Sequence, residues 1–182
     1  MTQTVDAVSL LDRATTGVTR VLERVSAQQL DDPTPCTAWT VQALIDHLAG
    51  GPVYLLSALG EVNVPAPADA ATYADLRRRC LDALRRPGAS QVRCLSPLGF
   101  EWSVAEATAG TFMDQLVHTW DLATATGQGT TLDEELVKTC IAMFLPEMPE
   151  RGRAGGLIGP AISVPAGASA QARLLGAMGR QP

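Results

Sequence analysis

Apolar residues recur at intervals of three and four along most of this chain, and sustained alternation of apolar with polar residues is almost absent, so helices must supply its core. Val5, Val8, Leu11, Val18, Leu22 and Val25 predict a first long helix over residues 4–30. Thr40 is a natural N-cap for a second over 41–59, with Val41, Leu44, Ile45 and Leu48 on its inner stripe. The stretch TYADLRRRCLDALRR predicts a third, stopping at Pro87-Gly88. Ser103 and Glu106 form a Ser-x-x-Glu capping box for a fourth, and Gly127 offers its stop. A fifth begins at Asp133 and carries Leu136, Val137, Cys140, Ile141 and Phe144.

The breaks are equally specific. DDPTPCTAW holds two prolines and cannot be helix, and EVNVPAPADA makes a long Pro/Ala connection. QVRCLSPLGFEWS reads as a small hairpin around a Pro-Leu-Gly turn. PEMPERGRAGGLIGPAISVPAGASA predicts irregular chain wrapping the bundle before a short last helix around QARLLGAMG. The expected fold is an all-α helical bundle in a single domain spanning residues 1–182, with a core of about 4–148 and a wrapping extension over 149–182.

Several function classes are disfavoured. A net charge of −5 argues against nucleic acid or an anionic membrane surface as partner. No run approaches the ~18 apolar residues of a membrane span, and MTQTVDAVSL has neither the basic nor the apolar region of a secretion signal, so a cytoplasmic protein is expected. Cys36, Cys80, Cys94 and Cys140 are scattered without a CxxC pair, as suits thiols in a reducing compartment.

Charge placement says more than the sum. No Lys or Arg occurs between Arg24 and Arg77, or from Cys94 to Val137, while acidic residues occur throughout both stretches. The chain's two histidines, His47 and His118, lie one in each. If these segments pack together, the field around both imidazoles is negative and favours a cation. In DQLVHTWDLA, Asp114 lies four residues before His118, which on a helix sets a carboxylate over an imidazole. Two imidazoles and a carboxylate on facing helices suit Zn²⁺ with an open fourth position, and the same set is the facial triad of non-haem Fe(II). Equally, Asp114 and His118 read as an exposed i,i+4 pair worth ~0.3–0.5 kcal/mol, with His47 an ordinary boundary histidine. Asp121, one turn on, is either a hydrogen-bond acceptor behind a ligand histidine or a solvated acid. Trp39 and Trp120 either wall a pocket or simply pack. Cys36 is either a nucleophile or a small buried residue, with nothing cationic near it in sequence.

PTPCTAWTVQALIDHLAG, LVHTWDLATATGQ and the closing GPAISVPAGASAQARLLGAMGRQP together resemble the actinobacterial DinB-like proteins related to mycothiol-dependent maleylpyruvate isomerase. The resemblance covers most of the chain. It implies a four-helix bundle with a long link between helices two and three, and a divalent metal held by a histidine, an acid and a second histidine. Those positions fall on His47, Asp114 and His118, where the isomerase has glutamate in place of the shorter Asp114. Zinc is the foremost ion, with nickel or iron as alternatives. The resemblance also implies mycothiol as cosubstrate, with the metal activating its thiol for isomerisation of, or transfer to, a small electrophile. Two other readings of the pocket stand beside this: a hydrolase in which the ion activates water, and a non-catalytic small-molecule-binding stress protein. No residue is singled out as a protein acid, base or nucleophile, and a homodimer is compatible with the sequence.

Overall fold

A computed structural model describes residues 6–61 and 69–182, and within them the chain is all-α apart from one small hairpin. The described residues of Met1–Thr130 form one compact unit and Thr131–Pro182 a second. Four helices build the first: α1 (Ala7–Leu22), α2 (Val41–Ala58), α3 (Ala70–Leu84) and α4 (Val104–Ala125). They close a ring in which α1 and α2 each pack against both α3 and α4, the arrangement of an all-α DinB-like four-helix bundle.

Each helix starts where a side chain can take the orphan N–H groups of the first turn. Asp6 accepts from the Val8 amide, Thr40 from Ala43 and Asp69 from Thr72. Ser103 and Glu106 cap α4 reciprocally, and Gly127 follows its end with a φ of 67°. Residues 115–123 of α4 are buried without interruption, so this is the bundle's central helix. Its buried threonines remain satisfied because Thr108, Thr111, Thr119 and Thr126 each donate to the carbonyl four residues back.

Three expectations change. The first helix ends at Leu22, not near residue 30, because Ser26 takes an extended conformation and opens a separate capped 3₁₀ turn over Ala27–Gln29. The third starts two residues earlier than TYADL suggested, at the Asp69 cap. Within the stretch expected to be irregular, Met148–Ala154 forms a helix, α6; Pro149 lies in its first turn, where a missing N–H costs nothing. The parts of the predicted first helix and of the Pro/Ala connection at 4–5 and 62–68 lie outside the described residues.

The hairpin is formed as expected, with β1 (Arg93–Leu95) antiparallel to β2 (Glu101–Ser103). Trp102 Nε1 donates to the Tyr54 hydroxyl at 2.6 Å, which donates to the Leu95 carbonyl at 2.9 Å, pinning the hairpin to α2. In the second unit α5 (Glu134–Phe144) packs on α7 (Ala170–Ala177), and Gln171 accepts the Leu132 amide at 2.9 Å. None of the described helices is long and apolar enough to cross a membrane.

One junction fixes α2 against α4. Pro52 lies inside α2 and brings no N–H, so the Leu48 carbonyl four residues before it loses its helical donor. Gln115 Nε2 of α4 donates to that carbonyl at 3.0 Å, and Gln115 Oε1 accepts from the Tyr73 hydroxyl of α3 at 2.6 Å. Gln115 and Tyr73 are wholly buried. The approach needs Gly51, because a Cβ there would lie 2.9 Å from Gln115 Nε2 and 3.0 Å from Thr111 Cγ2. Three helices are thus tied at the residue following His47. Gln115→Leu strands two buried polar groups at about 1–3 kcal/mol each. Adding Pro52→Ala returns a helical N–H to Leu48, so urea denaturation is expected to show the double variant more stable than Gln115→Leu by more than Pro52→Ala stabilises the wild type. Simple additivity would show that the proline-freed carbonyl does not need the glutamine.

Candidate metal centre

His47 projects from α2, and Asp114 and His118 project from α4, across the contact that Gln115 registers. Asp114 Oδ1 lies 3.0 Å from His47 Nε2 and 3.4 Å from His118 Nε2. One donor atom from each of the three residues falls within 4.8 Å of the others. Bonds of about 2.0–2.2 Å to a tetrahedral zinc imply ligand-to-ligand separations of about 3.4 Å, so the donors stand nearly where one ion would require them. Their chemistry, two imidazole nitrogens and a carboxylate oxygen, fits a borderline cation with room for a further ligand.

The exposed-pair alternative does not describe this geometry. Asp114 does lie over His118, but His118 is only 8% exposed and His47 closes on the same carboxylate. Asp114 keeps 31% of its side-chain surface and His47 36%, so the site is open to solvent from their side.

Behind His118 the arrangement is buried. Its Nδ1 donates to Asp121 Oδ2 at 2.8 Å, and Asp121 is fully buried, so it is no solvated acid. Carboxylate, imidazole and open Nε2 then lie in the order that orients ligand histidines. Burial opposes charge on His118, but the Asp114 carboxylate and the bonds to Asp114, Asp121 and Cys36 outweigh it and hold the imidazolium well above the usual histidine range. Burial likewise opposes charge on Asp114; the His118 charge and bonds from both imidazoles overcome it, pulling the carboxyl well below the usual range. Two carboxylates thus favour positive charge on the ring, and a cation at Nε2 would take the place of a proton there while Asp121 accepts the one at Nδ1.

The loop DDPTPCTAW contributes more than the sequence suggested. A bridge between Pro33 and Thr40 closes it, and the Thr34 hydroxyl accepts from the Cys36 amide at 3.1 Å and donates to the Trp39 carbonyl at 3.0 Å. Trp39 is thereby laid over both imidazoles, its ring centre 4.5 Å from that of His47 and 5.5 Å from that of His118. Trp120 is buried on α4. Cys36 Sγ reaches 3.3 Å from Asp121 Oδ2 and 3.7 Å from His118 Nδ1, a contact with an imidazole that no local pattern announced.

The base-free segments do pack together, as α2 on α4. The arginines of α3 and of the turn after it are engaged elsewhere: Arg77 and Arg85 pair with Asp12, Arg79 and Arg86 with Glu61, and Arg78 with Asp75 and Asp82. The ion pairs of the two imidazoles are with Asp114 and Asp121.

Residues 11–123, which hold every one of these side chains, match the family described as Mycothiol maleylpyruvate isomerase N-terminal domain. Two relatives from Mycobacterium tuberculosis, Uncharacterized protein MT0763 of strain CDC 1551 / Oshkosh and Uncharacterized protein Rv0738 of strain ATCC 25618 / H37Rv, are each 34% identical over 139 residues, covering 72% of this chain and 73% of the relative. No solved structure gives a significant match.

Proposed function

Because the chain belongs to the mycothiol maleylpyruvate isomerase N-terminal domain family, we propose that it is a metal-dependent cytoplasmic enzyme that uses a low-molecular-weight thiol of the mycothiol type to isomerise, or add to, a small electrophile. The convergence of His47 Nε2, Asp114 Oδ1 and His118 Nε2 across two helices supports this reading most directly. These three residues would hold the ion, with zinc the best match to two nitrogens and one oxygen and nickel or iron the alternatives. A divalent ion there supplies a positive charge that makes a thiol's deprotonated form the stable one at neutral pH.

The protein's own residues would do the rest. With an ion at the first site, Asp121 would accept the remaining His118 proton at Nδ1 and leave Nε2 directed toward Asp114 and His47. Asp114 neutralises charge. Trp39 covers the imidazoles and limits water on their flank, while the partly exposed side of His47 and Asp114 leaves an approach for thiol and electrophile. No further histidine exists in the chain to act as a general base, and none is required when the thiol reaches the site already ionised.

Isothermal titration is expected to show mycothiol, or a cysteinyl surrogate, binding the zinc-loaded protein at least tenfold more tightly than the chelated protein. A thiol affinity indifferent to chelation would remove the thiol step. Turnover of ester or amide substrates without thiol would then favour a hydrolase, and metal-dependent ligand binding without turnover a sequestering protein.

A further inference from the structure

The centre described above uses one edge of the His118 ring. Its other edge faces a second group of donors, Cys36 Sγ and Asp121 Oδ2, which with Nδ1 all lie within 4.8 Å of one another. The separations are 2.8 Å from Nδ1 to Oδ2, 3.3 Å from Sγ to Oδ2 and 3.7 Å from Sγ to Nδ1. Even at zinc-length bonds, about 2.3 Å to sulfur and about 2.0–2.2 Å to nitrogen and oxygen, a tetrahedral ion needs separations of about 3.4–3.6 Å, so Asp121 Oδ2 has to draw back from both Nδ1 and Sγ, and further for a larger ion. The loop bonds of Thr34 and the Pro33–Thr40 bridge already hold Cys36 in place. Cys36 is partly exposed and can be reached, whereas Cys80 and Cys140 are buried and their thiols are pushed up to about 12 by that burial.

We infer that Cys36, Asp121 and the Nδ1 edge of His118 form a second site, for a thiophilic cation such as Cd²⁺, Hg²⁺ or Cu⁺, and that it excludes a borderline ion from the first site. A thiolate selects soft ions. Exclusion follows as long as the ring keeps one proton, because a neutral imidazole has one lone pair and one N–H, and only an imidazolate, stripped of both ring protons, serves ions at both nitrogens. An ion at Nε2 leaves the proton at Nδ1, bonded to Asp121. An ion at Nδ1 releases the Cys36 S–H proton and the Nδ1 proton to solvent, and keeps the other ring proton at Nε2 facing Asp114. His118 is then lost as a ligand to the first site. Only the exclusion rests on the proposed zinc centre; the second donor set stands without it.

Titrating the metal-free full chain with Cd²⁺ and following the ultraviolet thiolate-to-cadmium absorption tests both statements. The wild type is expected to show one saturable equivalent. Cys36→Ser and Cys36→Ala are expected to lose it, while Cys94→Ser keeps it. Saturating zinc is expected to weaken the cadmium signal at least tenfold in the wild type and not in His47→Ala, which lacks a ligand of the first site alone. Absorption absent from the wild type, or unchanged in both Cys36 variants, would overturn the second site. A Cys36-dependent signal indifferent to zinc, in protein shown by metal analysis to have bound zinc, would overturn the exclusion. A Cys36-dependent signal in protein that takes up no zinc would support the second site and count against the proposed function.

Discussion

His118→Ala is expected to reduce zinc affinity about a thousandfold, about 4.1 kcal/mol, the largest loss from any single substitution in the chain. The variant removes an imidazole ligand, and it also releases Asp114 and Asp121 from the ring that now separates them. Removing one partner from a group of buried charges is costly, so melting temperature should fall as well. His47→Ala separates the two effects. His47 is partly exposed and touches Asp114 from α2, so its loss should empty the centre while sparing most of the stability. Metal content after dialysis against a limiting zinc buffer is the deciding measurement, with about one ion per chain expected for the wild type. Equal content in wild type and both variants would dismiss the centre.

Asp114 gives the second large effect, because its charge and its reach can be varied separately. Asp114→Asn preserves the shape but removes the anionic oxygen on which both imidazoles converge, and zinc affinity should fall at least tenfold, more than about 1.4 kcal/mol. Asp114→Glu keeps the charge and restores the longer acid of the isomerase that the sequence resembles. Its affinity should stay nearer to the wild type, while the extra methylene moves the ion and lowers turnover more than binding. Competition with a chelating dye ranks the three proteins. Identical affinities would reduce Asp114 to a partner of His47 and His118 with no role toward a metal.

The histidines and Asp114 were legible in the sequence because the relevant geometry is local. Four residues on a helix decide that Asp114 overlies His118, and the apolar stripe of α2 decides that His47 borders the core. Caps were legible for the same reason: Ser103 with Glu106, and Thr40, each act within one turn. What was hidden is non-local or turns on a backbone detail. Cys36 meets His118 across 82 positions of chain, through a loop whose closure depends on Thr34 and a single bridge. Asp121 could be placed on the stripe of His118 but not recognised as fully buried. The end of α1 was missed because apolar Val25 continues the helical period, while Ser26 breaks the backbone and starts a new cap. Gly and Pro near the C-terminus suggested irregular chain, yet Pro149 falls in the one turn of a helix that tolerates it.

The proline inside α2 also bears on how this bundle can diverge. Pro52 makes the Leu48 carbonyl depend on Gln115, Gln115 depends on the absent side chain of Gly51 for its approach, and Tyr73 depends on Gln115 for its hydroxyl. The order in which a lineage changes these four positions therefore matters. A descendant that loses the glutamine first carries stranded buried polar groups, whereas one that loses the proline first lets the helix satisfy its own carbonyl and makes the later loss less costly. Pro52 acts as a ratchet, retaining Gln115 for as long as it persists. Through that dependence the spacing of His47 from Asp114 and His118 is shielded from drift by residues with no part in any chemistry at the centre.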